Sequence, residues 1–83
     1  MLTIKVLGPG CSNCHKLEEL ARTAVAGLGV EAQFEKVTDR AAINSYHILA
    51  TPGLVVNEKV VSAGRIPTIP EITTWLANAQ MTN

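Results

Sequence analysis

Cys11 and Cys14 stand where an apolar, strand-like run gives way to a long amphipathic helical pattern, and this junction constrains the chain more than any other feature. The run Leu2 to Leu7 is short and bounded by Gly8-Pro9-Gly10, which reads as a strand entering a turn. Leu17, Leu20, Ala21, Ala24, Val25 and Leu28 then recur at helical spacing, so a helix is expected from about Ser12 to Leu28, with Gly27 and Gly29 supplying its stop. Cys11 therefore falls at or beside a helix N-terminus, where unpaired N–H groups favour an anion such as a thiolate. That help has a limited size. Moving a thiol pKa from ~8.5 to ~7 takes about 2 kcal/mol, whereas a helix end supplies roughly 0.3–1 kcal/mol. Hydrogen bonds from Cys14, from local backbone N–H groups or from the Ser12 hydroxyl would have to supply the rest. On this reading Cys11, nearer the loop, is the nucleophile and Cys14 the resolving thiol.

Composition narrows the class. With 83 residues, 47% of them apolar and 17% charged, the chain suffices for one compact core, and a single domain over residues 1–83 is expected. Seven basic and seven acidic residues cancel and are scattered, so neither a nucleic-acid partner nor an electrostatic membrane contact is expected. A protein or small-molecule partner is the expectation, with the chain a monomer. The sequence enters its strand pattern without a basic n-region or a long apolar h-region, and no apolar run approaches the ~20 residues of a membrane span, which points to the cytoplasm. A bond between the two cysteines would close so short a loop that it would stabilise the fold by only about 2 kcal/mol. In a reducing compartment such a pair is more often catalytic, redox-sensing or metal-binding than structural.

The rest of the chain alternates strands and helices. Glu31 to Val37 reads as a second strand with Ala32 and Phe34 packing inward, and Thr38 is placed to cap a short helix through about Tyr46. Leu54 to Val56 and Val60 to Ser62 flank Asn57-Glu58-Lys59, a tight-turn sequence, and so form a hairpin. Thr68 and Glu71 have capping-box spacing ahead of Ile72, Trp75, Leu76 and Ala79, which share one helical face, and this last helix should close near Gln80. The order is β-α-β-α-β-β-α, with Thr51-Pro52-Gly53 directly before the third strand.

With Cys11-Ser12-Asn13-Cys14 after the first strand, Thr51-Pro52 before the third and that element order over nearly the whole length, the chain resembles the thioredoxin/glutaredoxin superfamily. More narrowly, it is similar to the small archaeal and bacterial thioredoxin-like redox-active disulfide proteins. The resemblance implies an α/β thioredoxin-like fold: a four-stranded mixed sheet in the order 2-1-3-4, helices on both faces, and the last two strands antiparallel to the first pair. It also implies thiol-disulfide oxidoreductase activity on protein disulfides, with a redox-active Cys11–Cys14 disulfide in place of a bound cofactor and an upstream electron donor of the thioredoxin reductase kind. Cys11 would attack the substrate disulfide and Cys14 resolve the mixed disulfide. Pro52 would be cis and face the sulfurs, with the Thr51 backbone pairing with the bound peptide. Gly10, Ser12, Asn13 and Gly64 would border the substrate.

The chain departs from both branches. Thioredoxins carry Trp-Cys-Gly-Pro-Cys where this chain has Gly10-Cys11-Ser12-Asn13-Cys14, and its single tryptophan is Trp75. The acid that thioredoxins place six residues before the first cysteine falls on Lys5, which leaves proton transfer at Cys14 without an assigned group; Lys5 could assist if its stem were buried, since burial lowers a lysine pKa, but a strand lysine is expected to snorkel to solvent. Glutaredoxins bind glutathione through a basic residue before the motif and a Gly-Gly-Asp type sequence after the fourth strand, whereas here those stretches read Gly8-Pro9-Gly10 and Ala63-Gly64-Arg65-Ile66. Arg65 is either solvated or a contact for a substrate carboxylate.

Other chemistries use the same residues. Cys11-Ser12-Asn13-Cys14-His15 also matches the haem-attachment string of c-type cytochromes, but the strand-rich context and lack of an export signal disfavour it. His15 is more simply an early-helix residue near Cys11, where a cation would lower the thiol pKa, and His47 a surface residue at a helix end. Soft-metal binding or delivery by the two thiolates is the main alternative, although a closed zinc site needs four ligands and no second cysteine pair exists. A redox-inert adaptor on the same fold is a third reading. The apolar stripe of the first helix, with Trp75 and Leu76, is assigned to the core.

Overall fold

The alternating apolar run Leu2–Leu7 forms the first strand, β1, in a computed structural model that describes residues 2–10 and 12–81. It is followed by α1 (Ser12–Leu28), β2 (Ala32–Val37), α2 (Arg40–Asn44), β3 (Gly53–Val56), β4 (Lys59–Ala63) and α3 (Ile69–Met81). The strands form one mixed sheet in the order β2-β1-β3-β4, the thioredoxin-like arrangement expected. β1 and β2 are parallel, β3 is antiparallel to β1, and β4 is antiparallel to β3. One expectation is corrected here. As the return arm of a hairpin, β4 runs with β1 and β2, and β3 alone is reversed.

Side chains alternate across each strand and so divide the core in two. Leu2, Ile4 and Val6 of β1 and Leu54 and Val56 of β3 meet Leu17, Ala21 and Ala24 of α1 and Ile72 and Leu76 of α3. On the opposite face, Leu7, Val37 and Val55 are covered by Ile43 of α2, with Tyr46 and Ile48 packed at its edge. Leu17 and Leu76 are fully buried, and truncating either to alanine would cost about 2–5 kcal/mol. Trp75 is half-buried against the first cluster.

Local chemistry sets the element ends. Gly29, at φ +68°, terminates α1, its N–H donating to the Val25 carbonyl at 3.0 Å. α2 is shorter than expected and is capped by Asp39 rather than Thr38: the Asp39 carboxylate accepts from the Ala42 N–H at 3.0 Å. The β3–β4 turn has two residues, not three, because Asn57 and Glu58 both take positive φ, 51° and 66°, and Lys59 already belongs to β4. Asn57 ties this turn to β1, donating its N–H to the Thr3 carbonyl at 2.8 Å and accepting the Thr3 N–H on Oδ1 at 2.9 Å. At α3 the capping box is reciprocal: Thr68 N–H donates to Glu71 Oε1 at 3.0 Å, and Glu71 N–H to Thr68 Oγ1 at 3.3 Å. Among the described residues no helix is long and apolar enough to cross a membrane.

Candidate active site

The C-terminal end of β1 and the start of β3 are neighbours, with Leu7 opposite Gly53, so the segments just beyond them meet. From β1 the chain continues through Gly8, Pro9 and Gly10, the last at φ +91°, towards α1. Cys11 lies outside the described residues, and so does the nucleophile role expected of it. Ser12 and Asn13, exposed, open α1. Cys14 turns inward and joins the core cluster between the sheet and α1, with 6% of its surface exposed.

Gly8 is the site residue that sequence reasoning missed. A Cβ there would run into Cys14 Sγ and would lie 3.8 Å from Thr51 Cβ. The position is thus wedged between the thiol and the Thr51-Pro52 loop, and glycine is required by space rather than by φ. In the sequence Gly8 reads only as part of a turn; its one distinguishing signal is that it directly follows the apolar run on the way to the motif.

The Thr51–Pro52 peptide bond is cis, with Thr51 exposed and Pro52 buried. Gly64, at φ +78°, donates its N–H to the Pro52 carbonyl at 2.9 Å, which fastens the end of β4 to this loop. A Cβ on Gly64 would also stand 3.2 Å from Ala50 Cβ. The structure therefore gathers Gly10, Cys14, Thr51, Pro52 and Gly64 at one end of the sheet. Beside them a groove of about 340 Å³ is bordered by Pro9, Arg40, Leu49 and Thr51, with Leu49 fully exposed.

On the α1 side, Cys14 lines a small cavity with Val6, Gly8, His15, Glu18 and Lys36; at about 20 Å³ it has room for one water molecule. Partial burial pushes the Glu18 carboxyl up, but hydrogen bonds from Arg22 and Lys36 more than reverse this and hold it below the ordinary carboxylate range. His15 borders the cavity from an exposed position, and His47 is exposed just beyond α2 at φ 59°.

Lys5 differs from expectation, whereas Arg65 is exposed, as expected, and is also paired. Lys5 projects to the α2 face, where its Nζ contacts Glu58 Oε2 at 2.6 Å and the Tyr46 hydroxyl at 3.1 Å, while that hydroxyl donates to Glu58 Oε1 at 2.9 Å. The bonds to Glu58 and Tyr46 raise the Lys5 pKa above the usual lysine range, and the bond from Lys5 lowers that of Glu58. Lys5 is thus committed to a polar cluster on the side of the sheet opposite Cys14. Arg65 braces α3: its guanidinium reaches both Glu71 carboxylate oxygens, at 3.2 and 2.8 Å. Those bonds, joined by the Thr68 backbone N–H, push the Glu71 carboxyl down to about 2. Among the described residues no group of three or more His, Cys, Asp or Glu side chains is placed to hold a metal ion.

This fold, with a buried thiol in the first turn of α1 and a cis-proline loop beside it, defines a class, and sequence comparison agrees. The family model of the thioredoxin domain matches residues 2–77. The chain is 40% identical over 72 residues to a thioredoxin of Methanothermobacter thermautotrophicus, a match covering 87% of this chain and 94% of that protein. It is 36% identical over 72 residues to a thioredoxin of Methanocaldococcus jannaschii, covering 87% of this chain and 83% of the relative. The chain belongs to the thioredoxin domain family. That membership implies thiol-disulfide oxidoreductase chemistry, with protein disulfides as substrates and a reductase as donor in general.

Proposed function

We propose that the chain, as a single domain, is a thiol-disulfide oxidoreductase that reduces protein disulfides by cycling between a dithiol and a Cys11–Cys14 disulfide. The observation that carries this reading is the convergence at Gly8, where Cys14 Sγ and Thr51 flank one glycine α-carbon at the end of β1. In the first step the Cys11 thiolate attacks a substrate disulfide, forming a mixed disulfide and releasing one substrate thiolate. Cys14 then loses its proton and attacks the Cys11 sulfur; the substrate's second sulfur leaves with the electron pair and takes up a proton. Two electrons have passed to the substrate, and the protein holds the disulfide. Thr51 and Pro52, with Gly10, Ser12, Asn13 and Gly64, form the surface against which the substrate peptide lies. A donor of the thioredoxin reductase kind restores the dithiol, and the protein works as a cytoplasmic monomer.

The test is to equilibrate the protein against defined dithiothreitol ratios while counting thiols, and to follow reduction of insulin disulfides. A reversible two-electron transition with insulin turnover is expected. Cys11→Ser should abolish both, and Cys14→Ser should accumulate a mixed disulfide with substrate. No disulfide at any ratio, with tight Cu(I) or Zn(II) binding instead, would replace this reading with metal handling.

A further inference from the structure

Cys14 shares its cavity with an ion pair that the exchange steps above leave unused. Glu18 follows Cys14 by four residues and lies on the same face of α1. Lys36 stands opposite Val6 in the β1–β2 register, and its Nζ meets Glu18 Oε1 at 3.2 Å. Arg22 Nε holds the other carboxylate oxygen at 3.0 Å, and its guanidinium lies 4.3 Å from the centre of the Phe34 ring. The carboxylate is thus fixed by two cations, leaving one net positive charge in the group. Glu18 is the less exposed partner, with 15% of its side chain accessible against 54% for Lys36.

This inference rests on the disulfide-exchange reading, in which Cys14 becomes a thiolate twice per cycle: as it attacks Cys11, and as it leaves Cys11 when the disulfide is reopened. Burial opposes a thiolate and a nearby cation favours it. We propose that Lys36 supplies that positive charge to Cys14, and that Glu18 is the positioning residue that holds the ammonium at the cavity wall. The proton lost by Cys14 passes to solvent, and the ion pair is not consumed.

Among the described residues, the titratable groups around the cavity are His15 and Glu18 from α1 and Lys36 from β2; β1 contributes Val6, the turn beyond it Gly8 and Gly10, and the link after β2 Thr38. α3, packed against α1, brings no side chain to it. Lys5 is engaged on the other face of the sheet.

In a Cys11→Ser background Cys14 is the remaining thiol, and its ionisation is followed by the ultraviolet absorbance of the thiolate across pH. Lys36→Met should raise the midpoint by about 0.5–1 unit, and Lys36→Arg should restore it. Glu18→Gln, which keeps an acceptor for Lys36 but removes the anion, should lower the midpoint. A brace with only a structural role would change thermal stability without moving the midpoint in opposite directions. The titration needs no substrate, so the two readings fail separately. Midpoints unmoved by both substitutions, beside intact insulin reduction, overturn this inference alone. No insulin reduction by the unsubstituted protein overturns the exchange reading on which it rests.

Discussion

The α-carbon of Gly8 faces the sulfur of Cys14 so closely that one added methyl group would overlap it. Gly8→Ala must therefore move Cys14, the backbone of residues 8–10, or both. Overpacking of this kind costs about 1–3 kcal/mol. Urea unfolding should show a lower midpoint with an unchanged slope, and insulin reduction should fall further than the loss of folded protein explains.

Gly64 combines a positive φ with a crowded Cβ direction and a hydrogen bond to Pro52. Gly64→Ala should destabilise the fold by about 1–2 kcal/mol through the left-handed backbone alone. Because the residue is fastened to the cis-proline loop, the variant should also show a higher KM for a disulfide peptide, measurable by steady-state kinetics under conditions where it is fully folded.

Ser62 offers a stabilising change. Among the described residues its Oγ is a buried side-chain oxygen with no hydrogen-bond partner. Leaving such a group unsatisfied costs about 1–3 kcal/mol, part of which Ser62→Ala recovers. The expected outcome is a gain of up to about 1 kcal/mol by denaturant unfolding, with insulin reduction unaltered.

Acid stability should depend on Glu71. Its carboxyl titrates at about 2 in the folded protein against an ordinary 4.5, so its contribution is fully present above pH 4.5 and is lost as pH falls towards 2. Glu18 and Glu58 are displaced in the same direction. Thermal melts of Glu71→Gln should lie below those of the unsubstituted protein at neutral pH, and the gap should close as pH falls through that window.

Lys5 occupies the sequence position where thioredoxins carry an acid, yet its ammonium is held by Glu58 and Tyr46 across the sheet from Cys14. Lys5→Met should leave the pH–rate profile of disulfide reduction unchanged while weakening the hold of the β3–β4 turn on β1. A displaced profile would assign Lys5 a part in proton transfer despite that placement.

Much of the architecture was legible because it is written locally. The alternation in Leu2–Leu7, the helical spacing from Leu17 to Leu28 and the Thr68/Glu71 capping box each specify an element within a few residues. The features that escaped depend on what distant segments bring. Thr38 and Asp39 both carry a side-chain oxygen able to cap α2, and only the path of the chain leaving β2 selects Asp39. Lys5 finds Glu58 53 positions along the chain, a pairing that no spacing rule contains. The need for glycine at position 8 comes from a thiol packed in from α1 and a loop arriving from the far half of the sequence. The direction of β4 followed from any tight hairpin between Val56 and Val60, whatever its exact length, and the error there lay in extending the reversal of β3 to its neighbour.

The pairing of Leu7 with Gly53 has a consequence for how the protein is made. Both cysteines belong to the first fourteen residues, whereas Pro52 and Gly64 arrive some forty and fifty residues later. A nascent chain leaving the ribosome therefore carries both cysteines well before the reversed strand can zip against β1 and bring the cis-proline loop to the neighbourhood of Cys14. On the exchange reading proposed above, selective disulfide chemistry is a late property of synthesis, and the gain of substrate preference over simple thiol reactivity would report on long-range closure of the sheet.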